Sequence, residues 1–176
     1  EIVHGIPSPR RILKEGDIIS VDIGVFYGGL HTDSARTWPV GTVDARTQKL
    51  LEVTEASLEA GILEVKVGNH VGDIGAAIEA AVIKGGFVVV RDLVGHGVGH
   101  LMHEDPQVPN YRVPKRGAKL TVGLTIAIEP MVNAGSAGTR TLPDKWTVIT
   151  SDGERSAHFE HTVAVTENGP RVLTRC

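Results

Sequence analysis

The amino-acid sequence predicts an α+β protein whose sheet is largely antiparallel. Two observations favour this class. Strand-like and helix-like runs are mixed along the chain, and they follow no strict βαβ rhythm. A length of 176 residues, with 41% hydrophobic and 22% charged residues, fits one globular domain over residues 1–176. Aromatic residues make up only 4%, so the core must consist mainly of Val, Ile, Leu and Ala.

The first predicted element is a β-hairpin over residues 17–38, in which apolar residues alternate with polar or small ones before the turn Tyr27-Gly28-Gly29-Leu30. Apolar residues at helical spacing then predict helices over residues 44–65 and 71–84. The remaining elements are a buried strand over 87–90, a loop over 105–119 that contains three prolines, and strands over 124–132, 145–150 and 157–166.

Two aspartates of the hairpin form the first candidate site. With a two-residue turn, Asp22 faces Ala35 and Asp33 faces Gly24, so both carboxylates lie on one face as diagonal neighbours. A three-residue turn would instead place them on opposite faces. Two solvated acids on an exposed face are the alternative interpretation, although apolar residues flank the pair. Converging carboxylates need a neutralising partner.

A glycine-rich segment carries three histidines within eight positions, His96, His100 and His103. Glycines on both sides of His96 permit close approach of the backbone. A lone histidine in such a segment is more often structural, but three of them beside glycines favour a functional site. The segment matches neither the HExxH helix of zinc proteases nor the GxGxxG loop of dinucleotide-binding proteins.

Two glutamates lie inside β-like apolar runs, Glu129 after residues 125–128 and Glu160 before residues 162–165. A carboxylate in such a run is rarely buried unless it is paired or binds a metal. A buried salt bridge to Lys or Arg is the alternative for either residue. Together with the two aspartates and His96, the glutamates form an oxygen-rich set with one nitrogen, which suits a pair of divalent cations such as Mn, Co, Fe or Zn.

Composition excludes several other classes. The net charge is −3 and there is no dense Lys/Arg run, so nucleic-acid binding is not expected. No apolar run is long enough to span a membrane. The one cysteine, Cys176, leaves no internal disulfide and no CxxC pair, which favours the cytoplasm. The chain starts at Glu1 without a signal-peptide pattern, so we expect a processed protein or a fragment.

The order Asp22, Asp33, His96, Glu129 and Glu160 resembles the ligand set of the pita-bread metallopeptidases. Within them the chain is similar to the bacterial-like type I methionine aminopeptidases. The motifs that carry this resemblance run from residue 4 to residue 162: His4-Gly5-Ile6-Pro7, His31-Thr32-Asp33-Ser34, Gly95-His96-Gly97-Val98-Gly99, residues 103–111, Glu129-Pro130-Met131-Val132 and Glu160-His161-Thr162. Six motifs in the right order are highly specific, although no single one is decisive.

The resemblance implies a pita-bread fold and a role for each residue. One metal would be held by Asp33, His96, Glu129 and Glu160, and the other by Asp22, Asp33 and Glu160. A hydroxide that bridges the two ions would attack the first peptide carbonyl, with Glu129 as general base and proton carrier. His103 would stabilise charge on the carbonyl oxygen, and His4 would contact the scissile amide.

The chain departs from the family pattern in three respects. Family members have two helices and a strand upstream of the His4 motif, so the resemblance implies missing N-terminal elements and an exposed apolar face. Met102 stands where an aromatic residue is common, and Thr32 replaces a frequent glycine. We expect Met102 and Trp146 to line the substrate pocket, where an aromatic ring suits a thioether.

The resemblance also implies the partners: peptides and nascent chains that begin with methionine, with ribosome contact as a further expectation, acted on in the cytoplasm by a monomer. Two alternatives remain open. A proline-specific relative, such as aminopeptidase P or prolidase, would share all five metal ligands. An inactive binding module would keep the fold, but such proteins usually lose ligands, and every ligand is present here. The native metal is left open, because metal availability decides among similar ions.

Overall fold

Within residues 1–175, the part of the chain that the computed structural model describes, two helices and twelve strands form. Cys176, predicted to stay without a disulfide partner, lies outside these residues. In chain order the elements are β1 Ile18–Tyr27, β2 Leu30–Pro39, α1 Ala45–Leu63, α2 Val71–Gly85, β3 Val88–Val89, β4 Gly95–Gly97, β5 Glu104–Val108, β6 Thr125–Ile128, β7 Met131–Asn133, β8 Thr139–Thr141, β9 Val148–Thr150, β10 Ser156–His158, β11 His161–Thr166 and β12 Gly169–Val172.

The strands of this part of the chain form four sheets. The largest has the order β12-β11-β6-β4-β5, a second has the order β10-β7-β3, and β1-β2 and β8-β9 are two-stranded. Each strand pair found among residues 1–175 is antiparallel, which confirms the prediction for the sheet. Neither helix of the described chain combines the length and apolar character that a membrane crossing requires.

The hairpin has the predicted two-residue turn. Gly28 and Gly29 both have positive φ, 60° and 86°, which is the backbone that such a turn requires and that glycine adopts without strain. The pairs Asp22↔Ala35 and Gly24↔Asp33 follow from this turn. The alternative three-residue turn, with the aspartates on opposite faces, is therefore wrong.

The two predicted helices are confirmed to within two residues at each end. Asp44 caps α1 by accepting a hydrogen bond from the Thr47 backbone N–H at 2.9 Å. Gly86, with a φ of 84°, ends α2. The helices pack on each other and on the sheets to form the main hydrophobic core, which includes Leu50, Leu58, Ile74, Ile78, Val82, Ile126 and Ile128.

Several predicted strands are divided or shifted. The strand predicted over 124–132 is β6 and β7, and the one over 157–166 lies within β10 and β11, so each run serves two different sheets. The loop predicted over 105–119 is wrong at its start, because residues 104–108 form β5. That strand tolerates Pro106 because β5 lies at the edge of its sheet, where an N–H is dispensable. The short strands β4, β8 and β12 were not predicted.

One face of the hairpin is apolar and exposed. Val21, Ile23, Val25 and Tyr27 point to the same side of β1, and they keep 37%, 53%, 48% and 86% of their surface exposed. The hairpin pairs with no other strand of the described chain, so this face stays uncovered in the structure. The opposite face carries Asp22.

Candidate metal centre

The hairpin brings its aspartates to the protein interior from one side. Asp33 is buried in β2, where its backbone N–H donates to the Thr162 hydroxyl at 2.8 Å and its carbonyl accepts from the same hydroxyl at 2.7 Å. Asp22 remains largely exposed as a residue. Even so, partial burial of its carboxyl and the neighbouring Asp33 raise its pKa from 3.8 to about 6.

His96 enters from β4, between two glycines that allow the tight approach of neighbouring strands. A Cβ atom at Gly95 would collide with the carbonyl of Ala127, and one at Gly97 would collide with the carbonyl of Asp105. The ring is oriented by a 2.8 Å hydrogen bond from His96 Nδ1 to the Gly97 carbonyl. Because a carbonyl only accepts, Nδ1 carries the proton and Nε2 presents its lone pair.

That lone pair faces carboxylate oxygens. His96 Nε2 lies 3.4 Å from Glu129 Oε1 and 3.9 Å from Asp33 Oδ2. Burial lowers the pKa of His96, which favours the neutral ring. A divalent cation between the Nε2 lone pair and these oxygens would be bound by both and would offset the charge of the carboxylates.

The two glutamates lie at the points where the chain passes from one sheet to the other. Glu129 separates β6 from β7, and Glu160 separates β10 from β11. The pairing on both sides of this break, Ile128↔His161 and Met131↔His158, keeps one register, so Glu129 lies opposite Glu160. Like charges in directly opposite positions destabilise a sheet unless a counter-charge is present.

Burial is the main cause of the raised pKa values at both glutamates. For Glu129 it is followed by repulsion from Asp22 and Asp33, and for Glu160 by repulsion from Glu129 and then from the aspartates. Glu160 Oε1 is buried and has no hydrogen-bond partner among the described residues. Within residues 1–175, no Lys or Arg nitrogen pairs with these four carboxylates, so the alternative of a buried salt bridge is wrong.

These features fit a divalent metal. Ligand atoms of Asp33, His96 and Glu160 all lie within 4.8 Å of one another, and Asp22 and Glu129 adjoin them through the contacts above. Hard carboxylate oxygens with one imidazole nitrogen suit first-row divalent ions. A divalent ion would neutralise the repulsion and provide the missing partner of Glu160 Oε1.

The other predicted residues surround this cluster. The His103 ring lies 4.3 Å from the His96 ring, and the Met102 side chain lies against Gly24, opposite Asp33. His4 stacks on Trp146 with ring centroids 4.3 Å apart and an angle of 15° between the planes. His4, His103 and Trp146 are all solvent-exposed residues.

Sequence reasoning missed His158. The residue is buried, and its Nε2 lies 3.9 Å from Glu129 Oε2. A signal was present in the sequence, because residues 156, 158 and 160 alternate in one strand-like run and point to the same side. The structure also adds Asn110, whose side-chain amide donates to the Glu129 carbonyl at 3.1 Å.

Comparison with known proteins assigns the chain to a protein family. Residues 1–167 match the model of metallopeptidase family M24. The chain belongs to this family. The M24 chain is 55% identical over 175 residues to methionine aminopeptidase 1 of Bacillus subtilis, an alignment that covers 99% of this chain and 70% of the relative. Methionine aminopeptidase 1 of Mycobacterium tuberculosis is 48% identical over 179 residues and is covered to 67%.

Solved structures agree. The structure of methionine aminopeptidase from Thermotoga maritima has a TM-score of 0.97 and 49% identity, and the match covers 100% of this M24 chain and 71% of that one. The structure of prolidase from Pyrococcus furiosus has a TM-score of 0.76 and 25% identity. That match covers 98% of this chain and 45% of the prolidase chain. These matches confirm the predicted pita-bread fold and the resemblance to the methionine aminopeptidases. They also confirm the prediction of a hydrolase that depends on divalent metal.

Proposed function

We propose that this M24 chain removes N-terminal methionine from peptides and nascent proteins, and that residues 1–176 act as one catalytic domain. The observation that carries the proposal is the cluster of four carboxylates and one imidazole, in which no described cation offsets the acids. The identity to methionine aminopeptidases supports the choice of substrate.

Two divalent ions would be held by the five residues that the sequence predicts. Asp33, His96, Glu129 and Glu160 would hold one ion, while Asp22, Asp33 and Glu160 would hold the other. The position of Asp33 between Asp22 and His96 supports its bridging role. When bound, the ions would polarise the first peptide carbonyl and lower the pKa of a water molecule.

The chain's own residues then handle the proton and the substrate. Glu129 takes a proton from the attacking water and passes it to the amine that leaves when the C–N bond breaks. The exposed His103, beside His96, donates a hydrogen bond to the carbonyl oxygen as charge develops there. His4 contacts the scissile amide from its position on the Trp146 ring.

The substrate's first side chain would lie between Met102 and Trp146. A thioether makes favourable contacts with an aromatic ring, which supports Trp146 as one wall. Met102 lies at the Gly24 side of the cluster and supplies a second, flexible wall. Action in the cytoplasm, a monomeric state and contact with the ribosome stay predictions.

The test combines metal stoichiometry with cleavage. The chain, freed of metal and then reconstituted anaerobically with Mn²⁺ or Co²⁺, should bind two ions and release Met from Met-Ala-Ser. Cleavage of an Xaa-Pro peptide in place of Met-Ala-Ser would favour the proline-specific alternative, whose fold the prolidase shares. Absence of bound metal would contradict the proposal and favour an inactive binding module.

A further inference from the structure

His158 is a buried histidine with an unused nitrogen. Only 2% of its surface is exposed, and its Nε2 has no hydrogen-bond partner among the described residues. A buried polar atom without a partner is rare in folded proteins and calls for an explanation. A histidine that only filled the core would be replaced at lower cost by an apolar residue of similar shape.

The backbone of His158 is fixed by a threonine on the neighbouring hairpin. The Thr37 hydroxyl accepts from the His158 N–H at 2.8 Å and donates to the His158 carbonyl at 2.9 Å. Thr37 is itself buried, so water does not compete for these bonds. These two bonds fix the backbone from which the His158 side chain projects, without help from a metal or substrate.

The unused nitrogen faces Glu129. His158 Nε2 lies 3.9 Å from Glu129 Oε2, and the other oxygen, Oε1, lies 3.4 Å from His96 Nε2. The Glu129 carboxylate is thus placed between two imidazoles. The distance to His158 exceeds a normal hydrogen bond by ~1 Å, and the terminal torsion of a glutamate is soft enough to close such a gap.

We propose that His158 is a positioning residue for Glu129: its Nε2–H holds Oε2, so that Oε1 is directed to the metal and to the attacking water. The inference rests on the proposed function, in which Glu129 is both metal ligand and general base. His158 acts through Glu129 and does not touch the substrate. Partners of metal ligands fix ligand orientation, and their loss typically costs about 10- to 100-fold in metal affinity or activity.

Two amide variants separate this role from a structural one. Gln places its side-chain nitrogen near the position of a histidine Nε2, whereas the shorter Asn places it near Nδ1. His158→Gln should keep Mn²⁺ affinity and kcat within ~3-fold of the parent chain, while His158→Asn should lose about 10- to 100-fold in one or both. KM for Met-Ala-Ser should stay within ~3-fold in both variants.

Mn²⁺ affinity is measured by titration calorimetry, and kcat and KM with Met-Ala-Ser. Thr54→Val is the matched control, because it removes a buried hydroxyl that donates to the Leu50 carbonyl within α1, away from the cluster. It should keep the parent's Mn²⁺ affinity. If His158→Asn does not fold, Thr37→Val replaces it in the test. This variant removes both hydrogen bonds to the His158 backbone but keeps the imidazole, and it should also weaken Mn²⁺ binding.

Equal losses in the Gln and Asn variants, or parental values in both, would overturn the positioning role while leaving the proposed function intact. A parent chain that bound no Mn²⁺ would overturn both.

Discussion

Replacing Asp22 by Asn should stabilise the metal-free chain at high pH. Burial and the neighbouring Asp33 raise the pKa of Asp22 from 3.8 to about 6, so the folded state holds this proton more tightly than the unfolded state. The resulting stability is fully present below pH ~4 and is lost as the pH rises through ~6. Above that pH the folded chain carries the cost of burying the Asp22 charge and its repulsion with Asp33, and Asn removes both.

The size of the effect follows from the two pKa values. The difference between 3.8 and about 6 corresponds to ~3 kcal/mol as an upper bound. Asp22 is largely exposed as a residue, and water screens part of the repulsion. We therefore expect Asp22→Asn to raise the free energy of unfolding by about 1–1.5 kcal/mol at pH 8, and by close to zero at pH 4.

The assay is urea unfolding followed by circular dichroism, in EDTA, at both pH values. Glu167→Gln is the matched control, because Glu167 lies in the exposed turn between β11 and β12. Its free energy of unfolding should differ from that of the parent by the same amount at pH 4 and at pH 8. With added Mn²⁺ the parent should become more stable than Asp22→Asn at pH 8. A ligand that binds only the folded state stabilises it, and the parent keeps both proposed metal sites.

An Asp22→Asn chain that is less stable than the parent at pH 8 in EDTA would refute the reasoning. The ionised Asp22 would then carry no net cost of burial and repulsion, and this argument for a bound cation would fail.

Three further predictions concern the site. Asp33→Ala should abolish metal binding and turnover, because a bridging residue serves both ions; two bound ions per chain, counted by elemental analysis, would disprove the assignment. His103→Ala should retain both ions and lower kcat by about 10²- to 10³-fold, as for loss of one donor to the developing oxyanion; loss of metal would instead make His103 a ligand. Gly24→Ala should displace the flexible end of Met102, raising KM for Met-Ala-Ser by ~3- to 10-fold with Mn²⁺ affinity retained; an unaltered KM would remove Met102 from the pocket.

The parts of the fold that local chemistry decides could be predicted. Gly28-Gly29 defines a two-residue turn, and that turn alone fixes the register that brings Asp22 and Asp33 to one face. The helices follow from apolar spacing and from glycine at the end of α2. Each of these elements depends on residues close together in sequence.

The divided strands could not be predicted, because their cause is not local. Pro130 marks an interruption in the run around Glu129, but nothing local indicates that the two halves of each run join different sheets. The ligand types were predicted from the sequence, but the position of Glu129 opposite Glu160 depends on that pairing. The alternation of residues 156, 158 and 160 could have placed His158 on the same side as Glu160, but the contact of its nitrogen with Glu129 depends on strand pairing.

The five proposed ligands are spread from residue 22 to residue 160, and the glutamates meet only where two sheets join. No short stretch of chain can capture the ions, so the centre forms only after distant strands have paired. Metal should therefore act late on the folding pathway. It should slow unfolding strongly while leaving the rate of folding nearly constant, because interactions absent from the transition state act on the unfolding rate. Ions bound at the proposed ligands would therefore also slow the separation of the two sheets at their junction.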